Sequence, residues 1–140
     1  MSRVFLLLLA YALAAPALAQ STAPALPTLV ELKAQLASGK QIVVARTMAL
    51  TPAEEADFWP VFDELQRGLA GVDARRREAR AAIAAGGRAA ANGVEDLVEA
   101  DLEDAELLER AWQRLRGSLP PEKLARYLEL ERRIAATAMP

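Results

Sequence analysis

Neither cysteine nor histidine occurs anywhere in this chain. Without cysteine there can be no disulfide and no lipobox attachment to a membrane, so an exported form must hold together by packing alone. Without histidine the commonest metal ligand and the usual general base are both missing. Aromatic residues make up only 5% of the chain, and much of the 53% apolar content is alanine, which favours helix but buries little surface. Positive charge is not in excess either: 17 basic against 19 acidic residues give a net charge of −2, which argues against bulk nucleic-acid binding. No catalytic, cofactor-binding or metal-ligating residue is assigned.

What is present begins with a leader. Arg3 precedes an apolar run from Val4 to Ala15, followed by Pro16 and Ala17-Leu18-Ala19, with small residues at the two positions that a signal peptidase reads before Gln20. The run is shorter than the roughly 20 residues of a spanning helix, so the expectation is a signal peptide cleaved after Ala19, with no stable membrane anchor. Cleavage removes one basic residue and no acidic one, so 17 − 1 = 16 basic groups face 19 acidic ones, a net charge of about −3. The remaining length allows one domain: a flexible, proline-bearing arm over 20–27 and a single helical domain over 28–140.

The apolar period predicts four helices and no strand, an all-α class. The first, over 28–48, carries Leu29, Leu32, Leu36 and Val43, and is loosened at Gly39. The second starts at Leu50-Thr51-Pro52-Ala53-Glu54, where Thr51 caps, Pro52 suits the first turn and the Glu54 carboxylate reaches back to the Thr51 amide. It runs to about Ala85 with a seam of Phe58, Phe62, Leu65, Leu69, Val72, Arg76, Ala79 and Ile83, and Pro60 predicts a kink. A loop over 86–92 follows. Asn92 and Glu95 then predict the cap of a third helix to Arg116, with Val94, Leu97, Asp101, Leu108, Trp112 and Leu115 on its inner face. Leu119-Pro120-Pro121 forces a turn into a fourth helix ending near Thr137.

Antiparallel pairing of the second and third helices brings Arg75, Arg76, Arg77 and Arg80 beside Glu95, Asp96, Glu99, Asp101, Glu103 and Asp104. Mutual neutralisation is the plain reading; surplus arginine charge offered to an acidic or unfolded client is the functional one. Phe58 and Trp59 point about 100° apart on a helix, which sends Phe58 into the seam and Trp59 to its flank. There Trp59 is either covered by a neighbouring helix or part of an exposed patch.

The start at 50–54 resembles the LTXXQ motif of the Spy/CpxP-like periplasmic helical proteins, with Glu54 where that family usually has Gln. Leu119-Pro120-Pro121-Glu122-Lys123 resembles a second copy, with Pro in place of Thr and Lys in place of Gln. The runs Phe58-Trp59-Pro60-Val61-Phe62-Asp63-Glu64 and Tyr127-Leu128-Glu129-Leu130-Glu131 are similar to those of a subgroup of small exported proteins of this type. The resemblance covers residues 28–137. It implies a periplasmic protein of four helices, curved and often dimeric, whose relatives act as ATP-independent chaperones or as adaptors of envelope-stress sensors. Other relatives bind zinc, a property this chain departs from in having neither His nor Cys. Leu50, Thr51, Pro52, Glu54, Leu119, Pro120 and Pro121 are then motif and cap residues, and Phe58, Trp59, Phe62, Arg75, Arg76, Arg77 and Arg80 are candidate contacts for unfolded or partner polypeptides.

Three classes of function follow as expectations: a binding protein of chaperone or adaptor type, a structural helical homodimer without chaperone activity, and a carboxylate metal-site protein using Glu99, Glu103 and Glu106. The last lacks the Glu-x-x-His pair such sites use, so the first is the leading expectation and the chain is read as no enzyme.

Overall fold

The computed structural model describes residues 25–138, so the expected signal peptide and most of the expected arm lie outside the described residues. All the described secondary structure is helical. There are five helices rather than four: α1 (Leu29–Leu36), α2 (Lys40–Met48), α3 (Pro52–Ala85), α4 (Gly87–Leu115) and α5 (Pro121–Thr137).

The extra helix comes from splitting the expected first one at Gly39. Its backbone lies at φ 104° and ψ 138°, a conformation that side-chain-bearing residues rarely adopt and no helix contains. A second capping box also went unread. Thr28 Oγ accepts from the Glu31 amide at 3.3 Å while the Glu31 carboxylate accepts from the Thr28 amide at 2.8 Å, fixing the start of α1.

The predicted loop over 86–92 is absent, and Asn92 caps nothing. Gly86, at φ 76° and ψ −177°, and Gly87, at φ 62°, reverse the chain, and the Ala-rich stretch after them is already part of α4. Pro60 lies inside α3 without ending it.

The core lies at the open end of the α3–α4 hairpin. Leu32 of α1, Val43, Val44 and Met48 of α2, Phe58, Val61, Phe62 and Leu65 of α3, Ala111 and Leu115 of α4, and Leu124, Tyr127 and Leu130 of α5 form one buried cluster. A polar tie runs through its edge: the Glu131 carboxylate, 5% exposed, accepts from Lys40 Nζ at 2.6 Å and from Gln66 Nε2 at 3.0 Å, joining α5 to α2 and α3. The described end of the arm is docked, with Leu26 against the core and the Pro27 carbonyl accepting from Arg133 at 3.1 Å.

Beyond the cluster, α3 and α4 continue as a two-helix arm. Its buried positions are Val72, Ala79, Gly93 and Ala100. Gly93 is required here: a Cβ on it would lie 2.6 Å from the Ala79 carbonyl oxygen, so the backbones meet at a distance only glycine allows.

Candidate functional site

The helix starts at 50–54 and 119–123, 69 residues apart at Glu54 and Lys123, meet in space. Thr51 Oγ accepts from the Glu54 amide at 3.3 Å, and the Glu54 carboxylate accepts from the Thr51 amide at 2.8 Å, as the sequence predicted. The same carboxylate oxygen accepts from Lys123 Nζ at 2.6 Å, and Lys123 also donates to the Ala49 carbonyl at 3.0 Å. Ala49 is the one non-glycine residue at positive φ among those described, at 46°, a conformation costing about 1 kcal/mol. Glu54, near the start of α3, and Lys123, near the start of α5, thus form an ion pair. Leu119 is buried, Leu50 packs against the core, and Pro52 and Pro121 stand at the first positions of α3 and α5. The Lys123 hydrogen bond, then the Thr51 amide, hold the Glu54 carboxyl below its usual range.

The aromatic cluster is scaffold. Phe58 is fully buried and Phe62 is 4% exposed, their rings 5.9 Å apart. Tyr127 meets the Phe58 ring edge-on at 4.9 Å. Neither phenylalanine is available to a client on this surface, which corrects their assignment as contact residues. Trp59 is half-buried on the flank, edge-on to Phe58 at 5.0 Å and to Phe62 at 5.3 Å. The buried Tyr127 hydroxyl makes no hydrogen bond of normal geometry among the described residues, and burial, followed by the nearby Glu131 carboxylate, pushes it far above its ordinary range, so it stays protonated.

The four arginines separate into two pairs. Arg76 bonds Asp101 at 2.8 Å and Asp104 at 2.6 Å across the hairpin, and Arg75 bonds Glu103. Arg77 and Arg80 are exposed and make no ion pair among the described residues. Nearby, a cleft of about 350 Å³ between α3, α4 and the end of α5 is lined by Leu69, Leu108 and Ile134, with Lys40, Arg76, Asp104 and Glu131 around them. Those four charges pair as Lys40–Glu131 and Arg76–Asp104, and Arg132, which also lines the cleft, makes no ion pair among the described residues. Among the described residues no group of three or more acidic side chains converges to hold a metal; in the suggested trio, Glu103 is bonded to Arg75.

The surface that sequence reasoning missed is on α4. Val94, Val98 and Leu102 are 53%, 56% and 62% exposed, and Trp112, 39% exposed, continues the same face. Val94 and Trp112 were expected inside. Gly93, Ala100 and Ala111 are buried there, with Leu115 at the packed end; at Gly93 the approach of α3 leaves no room for a side chain. The signal was legible: 94, 98 and 102 follow one another at helical spacing, a stripe as good as the one assigned to the interior. Comparison of the chain with protein-family models, with curated proteins and with solved structures returns no match.

Proposed function

We propose that this chain is a periplasmic, Spy/CpxP-like binding protein that holds unfolded or partner polypeptide on its helical surface, as an ATP-independent chaperone or envelope-stress adaptor. The observation that carries the proposal is the outer face of α4, where Val94, Val98 and Leu102 lie in solvent while Gly93 and Ala100 are the buried residues of the same stretch. Contiguous exposed apolar surface of this kind is how helical proteins meet other chains. The meeting of Glu54 with Lys123 supports the family part of the reading, since it gives the two motif copies one shared structural task. Export is part of the proposal, with Gln20 as the first residue of the mature protein.

The test is suppression of aggregation of a chemically denatured substrate, without nucleotide, beside sedimentation of the protein alone. Suppression at near-stoichiometric ratios is expected. A chain that forms a stable homodimer and leaves aggregation unchanged would support the structural reading instead.

A further inference from the structure

We infer that the stretch of α4 from Val94 to Ala105 docks a cationic amphipathic helix of a partner polypeptide. This rests on the reading of the chain as a polypeptide-binding protein and names the chemistry of what it binds. Val94, Val98 and Leu102 recur every fourth residue, and Ala105 extends the stripe to a length of about 16 Å, or about three turns. That length suits one short helix laid alongside, its apolar residues at matching i, i+4 spacing.

Charge selects the partner. Glu95, Glu99 and Glu106 follow one edge of the stripe at helical spacing. Glu95 and Glu99 make no ion pair among the described residues, and Glu106 has only a looser contact with Arg110 at 3.7 Å. On the other edge Asp101 is already satisfied by Arg76. One edge of the stripe therefore carries unspent negative charge, and a helix with Lys or Arg beside its apolar face complements it.

Two nearer occupants are disfavoured by the same charges. A second copy packed antiparallel through the same stripe would set its own Glu95–Glu99–Glu106 edge against this one, at the cost of like-charge repulsion; packed parallel, it would set that edge against the Asp101 side, where Arg76 is already paired. The chain's own first 24 residues contain a single basic residue, Arg3, and cannot supply a cationic edge.

The test uses the full chain and a fluorescein-labelled, amidated helical peptide with Leu on one face and Lys on the other, read by fluorescence anisotropy at low salt. Comparators are the same peptide with Glu for Lys and one with its Leu and Lys order scrambled. The Lys/Leu peptide is expected to bind at least about tenfold more tightly than either comparator, and to weaken about tenfold in Val98→Ser/Leu102→Ser and in Glu95→Lys/Glu99→Lys. All four positions are exposed, so the variants should melt like the parent. Equal binding of ordered and scrambled peptides, or unchanged binding by the serine variant, would overturn the inference. So would a dimer in sedimentation that the serine variant converts to monomer, since a second copy would then own the stripe. Suppression of aggregation by a chain that ignores the peptide overturns this inference and leaves the proposed function standing; peptide binding without suppression upholds this inference and removes the chaperone half of the proposed function, leaving the adaptor.

Discussion

The two ends of the α3–α4 hairpin are held together by different physics. At the open end, Phe58, Phe62 and Leu65 pack into a cluster completed by α1, α2 and α5. Towards the Gly86 turn the same two helices have, among the described residues, only each other: Val72, Ala79, Gly93 and Ala100 inside, and the Arg75–Glu103 and Arg76–Asp101/Asp104 ion pairs across the seam. Large buried rings supply most of the free energy, whereas close-packed alanine and half-exposed ion pairs supply little. From Arg76 to Ala85 the arm reaches about 14 Å at the usual rise per residue. A protein divided in this way can present a binding surface on the arm without placing its stability there.

The strongest way to break the comparison is through the rings. Phe58→Ala should cost about 3 to 5 kcal/mol, and Trp59→Ala, half-buried and edge-on to two rings, about 2 to 3 kcal/mol. Urea denaturation followed by circular dichroism measures both. A Trp59 variant that melts like the parent but no longer suppresses aggregation would move that residue from scaffold to contact.

Next comes the polar tie. Lys40→Ala leaves the Glu131 carboxylate, 5% exposed, with Gln66 as its remaining partner, and should cost about 2 kcal/mol by the same denaturation. Removal of an exposed acid on the arm, such as Glu99, should cost almost nothing, which sharpens the contrast.

Within the hairpin, the glycines separate the two ends. Gly93→Ala drives a methyl against the Ala79 carbonyl and should cost about 1 to 2 kcal/mol, mostly as easier local opening of the arm. Gly68→Ala meets only the end of the flexible Leu107 side chain, at 2.5 Å. Its small steric cost is offset by the roughly 0.5 to 1 kcal/mol that alanine gains over glycine in a helix, so its melting temperature should hardly move. Thermal melts of the two variants make the comparison.

The smallest effect is the pH dependence of the motif pair. The folded-state value of Glu54 lies below the ordinary 4.5, so its contribution is complete above that value and is lost as pH falls through the lowered one. Glu54→Gln should therefore lower the melting temperature slightly at neutral pH and reduce its fall as pH drops below 4.5.

Most of the open end could be read from the sequence. The four-three stripe from Phe58 to Ile83 and the Thr51–Glu54 box are local patterns, and the chain carries them out. The arm was harder to read because its inner face is made of small residues. A rule that turns large apolar side chains inward puts Val94 and Trp112 inside, but how closely Gly93 lets two backbones approach is a property of the pair, not of either helix. Gly39 was visible as a weak point but not as a break, since its positive φ depends on where α1 and α2 must pack. The Glu54–Lys123 bond joins residues far apart in the chain, and only the fold reveals that they pair.

The central claim is that stability resides at the packed end and binding on the arm. Hydrogen exchange of the protein alone and with the Lys/Leu peptide tests it directly. Amides of α3 between Phe58 and Leu65 and of α5 between Leu124 and Leu130 should exchange only through global unfolding, and those beyond Arg76 in α3 and before Asp101 in α4 through cheaper local opening. Peptide should slow exchange from Val94 to Ala105 and leave the packed end unchanged. Equal protection at both ends of the hairpin, or peptide-induced protection confined to α1 and α2, would contradict the account.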